Sequence, residues 1–490
     1  MRKNGILLAI SSIPSEFGIG GFSKEAYDFV DFLERAGQSL WQILPLGPTG
    51  YGDSPYQSFS TFAGNPYYID LNEFIEKGWL TREECAAPDY GNPEYVEYET
   101  IFKTRFKLLK KAYKKSNIEN DPEFKEFVKE NDYWLDDYAL YMAIKDSKDG
   151  LSWLEWEEAI KIRKKSAIDK YKKELKEDYV FYQFQQYFFA KQWFRLKAYA
   201  NSKKIKIIGD IPIYVALDGA DTWGSPELFQ LDEACNPINV AGCPPDAFSD
   251  LGQLWGNPVY DWDYHKKTNY EWWIKRIGYC YKLYDIVRID HFRGFDEYYS
   301  IPFGMPDAKI GKWMPGPGYD LFKALKDAIG NKPVIAEDLG FLTDTVIKLV
   351  NKTKYPGMKV LQFAFDSREE SDYLPYNYTK NCVVYTGTHD NDTSVNWYMT
   401  LPRKDKSFAR RFLDIKKPSE AAEKMVRAAM GSVADTCIIP MQDFLGLGGE
   451  ARMNVPSTLG TNWKWRLLKG QDSISLSEHI YTLTRIYGRL

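Results

Sequence analysis

The stretch YTGTHDNDT (385–393) gathers a histidine and two carboxylates directly after an apolar run. The chain has only four histidines, and one of them, His389, stands beside Asp390, with Asp392 two positions on. The run before them, VVYTG, is β-branched and aromatic, a composition typical of a buried strand. These polar side chains are therefore predicted to lie at the end of a strand.

Acidic residues also stand at the ends of other apolar runs. IKIIGD ends at Asp210, DIVRID ends at Asp290, and PVIAED carries Glu337 near its end. Any one of these acids could instead cap the following helix or pair with a basic neighbour. That explanation is weaker for Asp290, Glu337 and Asp390 together, because they follow three separate strands.

Three such acids without a nucleotide or metal signature suit the chemistry of retaining glycoside transfer. Arg288 and Asp290 are two positions apart on a predicted strand, so their side chains share one face. The guanidinium favours an ionised Asp290, which suits a nucleophile, while a second carboxyl that stays protonated can donate to the leaving oxygen. The alternative is a Mg²⁺ site built from strand-end acids. It ranks second because a cation beside a metal ligand is unfavourable.

The elements that would position these acids alternate along the chain. Eight short apolar runs are predicted as strands: GILLAI (5–10), SLWQIL (39–44), IKIIGD (205–210), DIVRID (285–290), PVIAED (333–338), VLQFAF (360–365), VVYTGTHD (383–390) and CIIPMQD (437–443). Helical patterns at 23–37, 319–330, 342–352 and 418–431 lie between them. The alternation predicts an α/β fold, a (β/α)₈ TIM barrel with helical and loop-rich insertions. In such a barrel the strand ends meet at one face, where catalytic residues lie.

The whole chain, 1–490, is predicted to form a single catalytic barrel domain with two insertions. Residues 93–200 are rich in Lys, Glu, Tyr and Trp in helical patterns, which predicts a mainly helical insertion. Residues 218–262 are rich in Gly, Pro and aromatic residues, which predicts an ordered but irregular loop over the active site. No G-x-G-x-x-G follows a predicted strand, so a dinucleotide-binding sheet is disfavoured.

Composition narrows the possible partners. A net charge of −4 and a pI near 5.8 argue against nucleic acid. No run approaches the roughly 20 apolar residues of a membrane span, and the first apolar run is too short for a signal peptide. The six cysteines are scattered without zinc spacing, so a cytoplasmic protein with reduced thiols is predicted. An aromatic content of 16% is compatible with a sugar-stacking groove.

Six segments in the same order resemble one enzyme family. They are GYGDSPYQSFSTFAGNPYYIDL (50–71), GDIPIYV (209–215), PPDAFSDLGQLWGNPVYDW (244–262), VRIDHFRGF (287–295), VIAEDLG (334–340) and YTGTHDNDT (385–393). Together with RMNVPSTLGTNWKWRL (452–468), they resemble the 4-α-glucanotransferases, also called amylomaltases or disproportionating enzymes. That family is glycoside hydrolase family 77, of the α-amylase-like clan. The resemblance covers essentially the whole chain.

The resemblance implies a role for each matched residue. Asp290 matches the nucleophile, Glu337 the general acid/base, and Asp390 the acid that binds substrate hydroxyls near the transition state. Further matched residues are implied to bind substrate: Asp53, Ser54, Tyr56, Asp210, Asp246, Phe248, Gln253, Trp255, Arg288, His389, Asn454, Asn462 and Trp463. The resemblance implies neither a metal nor a cofactor.

The activity implied by the resemblance is transfer of α-1,4-glucan segments. Maltooligosaccharides, starch or glycogen chains would be donors, and glucose or another glucan would be the acceptor. From the residues alone, an α-glucan hydrolase of the same clan stays open, because only the group that intercepts the intermediate differs. A catalytically inactive glucan-binding protein is disfavoured, since Asp290, Glu337 and Asp390 are all present.

Overall fold

The computed structural model describes residues 2–50, 53–245, 249–340 and 342–490. Its centre is a closed barrel of eight parallel strands, so the predicted (β/α)₈ fold is confirmed. The barrel strands are β1 (Lys3–Leu7), β2 (Leu40–Gln42), β3 (Lys206–Ile211), β6 (Ile286–Ile289), β9 (Val334–Ala336), β10 (Gly357–Val360), β11 (Cys382–Tyr385) and β12 (Thr436–Pro440). They run around the barrel in the order β1-β12-β11-β10-β9-β6-β3-β2.

A second, four-stranded sheet lies outside the barrel. Its strands are β4 (Asn239–Cys243), β5 (Gln253–Pro258), β7 (Glu297–Pro302) and β8 (Lys312–Pro315), paired antiparallel in the order β5-β4-β7-β8. Two of these strands fall within 218–262, so the prediction of irregular structure there is wrong over β4 and β5. Gly and Pro have low strand propensity, so the sequence pattern of β4 (NVAGC) and β5 (QLWGNP) does not predict strands. The ladder forms because β7, far along the chain, pairs with β4.

Helices surround the barrel and fill the connections between strands. They are α1 (Lys24–Arg35), α2 (Asn72–Glu76), α3 (Arg82–Ala86), α4 (Tyr98–Ser116), α5 (Pro122–Glu130), α6 (Asp132–Ser147), α7 (Glu158–Lys161), α8 (Lys165–Glu174), α9 (Lys176–Ser202), α10 (Ala220–Gly224), α11 (Trp262–Lys267), α12 (Glu271–Leu283), α13 (Tyr319–Ile329), α14 (Asp344–Thr353), α15 (Ser394–Thr400), α16 (Arg403–Leu413), α17 (Ala421–Gly431), α18 (Met441–Leu445) and α19 (Ile474–Ile486). No helix of the described residues is long and apolar enough to cross a membrane.

The helices between 98 and 202 pack against the barrel through one continuous apolar core. Trp193 of α9 is fully buried, and its indole N–H donates to the Leu283 carbonyl at 3.0 Å. Phe22 packs its ring against both Phe189 and Trp193, with centroids 5.2 and 5.4 Å away. Because the core is shared, we propose that these helices are an insertion on a single barrel domain.

The strand predicted at 360–365 shares only Val360 with the observed strand, so this prediction is wrong over 361–365. β10 covers Gly357–Val360, and Leu361–Ala364 form a 3₁₀ turn instead. The Gln362 side chain in this turn donates to the Asp392 carbonyl at 2.8 Å. The turn therefore ties the end of β10 to the loop that follows β11.

Candidate active site

The three predicted catalytic acids lie at the carboxyl end of the barrel. Asp290 directly follows β6 and Glu337 directly follows β9, the neighbouring strand. The ladder continues past both strands, because Glu337 N–H donates to the Ile289 carbonyl at 3.1 Å and Phe292 N–H donates to the Glu337 carbonyl at 3.0 Å. Asp290 and Glu337 therefore occupy adjacent strand ends, and Asp390 reaches the same end from the loop after β11.

Arg288 links two carboxylates beneath the cleft. Its side chain is buried, and Nη1 donates to both carboxylate oxygens of Asp210 at 2.7 and 2.6 Å. Nη2 lies 2.9 Å from Asp290 Oδ1, as expected for two side chains on one face of a strand. The Tyr56 hydroxyl donates to Asp210 Oδ2 at 2.8 Å. Paired in this way, the buried guanidinium holds Asp290 in a fixed orientation.

Asp290 faces the cleft with 31% of its side chain exposed. Burial raises the pKa of this carboxyl to about 6, although the Arg288 charge opposes the rise. Arg288 thus favours the ionised form of Asp290, as its position on the strand predicts, while desolvation acts in the opposite direction and is the larger effect. At neutral pH the carboxyl is still mainly ionised, as a nucleophile requires.

Glu337 sits in a cradle of two backbone amides. Its Oε2 accepts from His291 N–H at 2.7 Å and its Oε1 accepts from Leu339 N–H at 2.9 Å. His291 has a left-handed backbone (φ 54°), which aims its N–H at the carboxyl. Burial raises the pKa of Glu337 to about 7, the charge of Asp290 adds to the rise, and Arg288 and both amides oppose it. A carboxyl with this pKa can both donate and accept a proton near neutral pH.

Asp390 is held as an ionised carboxylate. Burial acts to raise its pKa, but the charge and hydrogen bond of His389, the Asn454 amide and Arg288 outweigh burial and lower the pKa. His389 Nε2 lies 3.3 Å from Oδ2, and Asn454 Nδ2 donates to Oδ1 at 2.6 Å. Burial acts to lower the pKa of His389, yet the Asp390 charge leaves it raised. Asp390 therefore presents an ionised carboxylate to the cleft, with His389 fixed beside it.

Aromatic rings stack behind Asp390. The Tyr56 ring is stacked on the His389 imidazole with centroids 5.2 Å apart, and Trp463 lies 5.8 Å from Tyr56 and 5.9 Å from His389. Near Glu337, the Trp255 ring meets the His291 ring edge-on, with centroids 4.8 Å apart. The described structure thus brings these ring-bearing residues beside the three carboxylates.

Three other residues implied to bind substrate form hydrogen bonds within their own segments of the chain. Gln253 Oε1 accepts from the Trp255 indole N–H at 3.1 Å, and Ser54 Oγ accepts from Tyr56 N–H at 3.3 Å. The Asn462 amide bonds within its own loop, to the backbone of Val455 and Thr458. These three residues therefore shape the segments that carry the rings.

Asp53 is a further residue that the resemblance implies to bind substrate. Asp53 has a left-handed backbone (φ 57°), and burial raises the pKa of its carboxyl to about 6. It precedes Ser54 and Tyr56, so it lies on the same segment as the tyrosine that bonds to Asp210. Asp246 and Phe248 lie outside the described residues.

Two contacts to the catalytic residues were not predicted from sequence: the one from the Arg452 side chain and the one from the His291 backbone N–H. Arg452 donates from Nη2 to the Asp390 carbonyl and from Nε to the Asn454 carbonyl, both at 2.9 Å. His291 contributes its backbone N–H. Arg452 stands two positions before Asn454, so its charge was a usable signal, whereas the backbone conformation of His291 left none. Asp443, also at a predicted strand end, is buried and accepts from Ser394 and Thr386, so it holds structure instead.

Known proteins were compared with the chain as a whole. A family profile described as 4-alpha-glucanotransferase matches residues 8–471. A 4-alpha-glucanotransferase of Clostridium butyricum is 51% identical over 483 residues, covering 98% of this chain and 99% of the relative. One from Streptococcus pneumoniae (strain ATCC BAA-334 / TIGR4) is 48% identical over 493 residues, covering 100% and 98%. A solved amylomaltase from Streptococcus agalactiae in complex with acarbose is 41% identical, with a TM-score of 0.96 and full coverage of both chains. The chain belongs to the 4-alpha-glucanotransferase family of enzymes.

Proposed function

We propose that the chain transfers α-1,4-glucan segments by a retaining double displacement. The donor is a maltooligosaccharide or a starch or glycogen chain, and the acceptor is the 4-hydroxyl of glucose or another glucan. The observation that carries the mechanism is the placement of Asp290 and Glu337 on adjacent strand ends, with Arg288 on the first carboxyl and two backbone N–H groups on the second.

In the first step, an Asp290 carboxylate oxygen attacks the anomeric carbon of the donor. Glu337 gives its proton to the glycosidic oxygen as the bond between that oxygen and the anomeric carbon breaks. The reducing-end part of the donor leaves with a new hydroxyl. The rest stays as an ester on Asp290, and Glu337 is left as a carboxylate.

In the second step, the acceptor hydroxyl attacks the same carbon while Glu337 removes its proton. The ester bond breaks and Asp290 returns to its ionised form. Forming the ester removes the negative charge that helps to raise the pKa of Glu337. The pKa of Glu337 therefore falls in the intermediate, at the stage where it must be unprotonated. Two inversions at one carbon give net retention.

Asp390 and the aromatic residues near it would bind the sugar. Asp390, ionised beside His389, is positioned to accept hydrogen bonds from sugar hydroxyls as positive charge develops on the ring. The partly exposed rings of Tyr56 and Trp255 offer apolar faces on which glucose units can stack, and the buried Trp463 supports Tyr56 from the protein side. Asp53, Asp246 and Phe248 belong to the same proposal through the family resemblance alone.

Maltotriose incubation tests transfer against hydrolysis. Transfer breaks one α-1,4 bond and makes another, so glucose and longer maltooligosaccharides should accumulate while total reducing ends stay nearly constant. A rise in reducing ends that matches maltotriose consumption would instead support the hydrolase. A chelator should leave the rate unchanged, because Arg288 places a cation beside the nucleophile where a metal ion would otherwise sit.

We also propose that the enzyme works in the cytoplasm. Cys85, Cys280, Cys382 and Cys437 are buried free thiols, which is typical of a reducing compartment. Activity that fractionates with cytosolic marker enzymes would agree with this location, and recovery in the culture medium would contradict it.

A further inference from the structure

The barrel has a second cavity at the end opposite the catalytic carboxylates. Its volume is about 700 Å³, within the usual range for small-molecule sites. Residues that begin barrel strands line it, among them Lys3, Leu40, Ile286, Val334 and Thr436. Parallel strands share one direction, so their first residues lie at the amino-terminal mouth of the barrel. The cavity is therefore separate from the site described above.

Positive charge is concentrated around this mouth. Five lysines line the cavity: Lys3, Lys326, Lys332, Lys352 and Lys354. Within the part of the chain that the structure describes, no Asp or Glu lines it, and none of the five ammonium groups has a carboxylate oxygen within 4.0 Å. The chain as a whole carries 68 acidic and 64 basic residues. A cavity lining with five bases and no acid departs from that balance, although Asp285 and Asp435 directly precede β6 and β12 at the same end of the barrel.

Tyrosine rings accompany the lysines. Lys352 Nζ lies 4.2 Å from the Tyr319 ring centroid, and Lys332 Nζ lies 5.6 Å from that of Tyr281. Both rings line the cavity, together with Tyr355. The Tyr281 hydroxyl donates to the Pro333 carbonyl at 2.9 Å, which fixes that ring. The cavity thus combines cations with flat apolar faces.

Helix ends explain only part of the charge. α13 and α14 end at Ile329 and Thr353, and cations near a helix carboxyl end are favoured by its dipole. That effect accounts for Lys326, Lys352 and Lys354. It does not account for Lys3, which begins a strand, or for Lys332, which lies in the loop before β9. Nor does it require a cavity of this size.

We infer that the amino-terminal mouth of the barrel binds a small phosphorylated molecule that also carries a ring. Lysine ammonium groups bind phosphate oxygens as point charges, and several of them suit a ligand with more than one negative charge. The tyrosine faces would hold a sugar ring or a nucleotide base. This site is distinct from the catalytic cleft and does not depend on the transfer reaction proposed above.

Isothermal titration calorimetry with three probes tests the inference: glucose 1-phosphate, ATP and inorganic pyrophosphate. At low salt, at least one ring-bearing probe should bind saturably, pyrophosphate should compete with it, and added salt should weaken it. Tighter binding of glucose 1-phosphate would identify a sugar phosphate as the ligand class, and tighter binding of ATP a nucleotide. Both outcomes support the site.

Two double variants localise the site. Lys326→Gln with Lys352→Gln should weaken the ring-bearing probe by roughly tenfold or more. The matched control is Lys125→Gln with Lys129→Gln, which removes two exposed lysines from α5 and should leave binding unchanged. Bound probe should also protect Lys326 and Lys352 from acetylation, measured by mass spectrometry, without protecting Lys125. Absence of saturable binding by the unmodified enzyme, or equal affinity in both double variants, would overturn the inference.

Discussion

At the scale of single residues, the three carboxylates of the cleft ionise differently because their neighbours differ. For Asp290 and Glu337 the effect of burial exceeds that of Arg288 and of the backbone N–H groups, so the pKa of each is raised. Asp390 loses solvent too, but His389 and Asn454 supply a charge and a hydrogen bond that lower its pKa. The same functional group, a carboxyl, therefore serves as the nucleophile in Asp290, as the proton donor and acceptor in Glu337, and as a permanent anion in Asp390.

A narrow bell-shaped pH profile should follow. Asp290 must be ionised to attack, so the rate should rise as pH increases through about 6. Glu337 must be protonated to donate, so the rate should fall as pH increases through about 7. Asp390 stays ionised over this pH range, so it adds no further rise or fall to the pH profile. Measured as kcat/KM for maltotriose, the maximum should lie between these values, which belong to the coupled pair as a whole. A rate that stays level well above the pKa of Glu337 would contradict its role as acid.

The two central carboxyls should also respond differently to an activated donor. Glu337→Gln removes the proton that the leaving sugar needs and should cost roughly 10²- to 10⁴-fold with maltotriose. A glycosyl fluoride leaves with little protonation, so its first step should be partly restored in Glu337→Gln. Asp290→Asn lacks the nucleophile and should not recover. The exposed Glu369→Gln serves as a control that keeps full activity with both donors. Equal recovery of the two site variants would reverse or remove the assigned roles.

At the scale of secondary-structure elements, local patterns located the barrel strands but not the outer sheet. Seven of the eight barrel strands overlap the predicted apolar runs, whereas β10 (GMKV) mostly precedes the run predicted at 360–365. The helices α1, α13, α14 and α17 have clear helical patterns in sequence. β4 and β7 stabilise each other across a long loop, and no window of sequence contains both. The left-handed backbone of His291 and the reach of Arg452 to Asp390 likewise depend on tertiary contacts.

The start of β10 packs against Asp338, the residue that follows the proposed acid/base Glu337. An added Cβ on Gly357 would lie 2.2 Å from Asp338 Oδ2, and Asp338 directly follows Glu337. Asp338 Oδ1 also accepts from Met358 N–H at 2.7 Å, so the carboxylate is not free to move away. Gly357→Ala should therefore destabilise the fold by roughly 1–3 kcal/mol and lower kcat by displacing Glu337. Denaturant unfolding and maltotriose turnover measure the two effects.

Gly278 provides the matched control for that substitution. It lies in α12, and the nearest atom to an added Cβ is Ile329 Cγ2 at 3.9 Å, an ordinary contact. Gly278→Ala should leave kcat unchanged and stabilise the helix by up to about 1 kcal/mol. If Gly357→Ala were as harmless as Gly278→Ala, the close packing of β10 against Asp338 would not constrain the catalytic acid.

At the scale of the whole molecule, hydrogen bonds from Arg2 and Arg489 join the elements beside the place where β1 and β12 close the barrel. Arg489 is 2% exposed and donates to the carbonyls of Met430, Lys3 and Ser432 at 2.8, 3.0 and 3.4 Å. Arg2 donates to the Met430 carbonyl as well, at 2.8 Å, and to the Tyr487 carbonyl at 2.7 Å. The first strand, the end of α17 and the segment after α19 are therefore joined by two guanidinium groups. β1 pairs with both β2 and β12, so these bonds lie where the barrel closes.

Arg489→Ala should weaken the molecule as one unit. The change leaves buried carbonyls short of a donor and opens a cavity, so the free energy of unfolding should fall by roughly 2–4 kcal/mol. Arg485→Ala, on the exposed side of α19, is the matched control and should change it little. Because the barrel and the helices of 98–202 share one apolar core, circular dichroism and tryptophan fluorescence should show the same lowered midpoint. Two separate transitions, with only one shifted by Arg489→Ala, would mean that the helices form an independent domain.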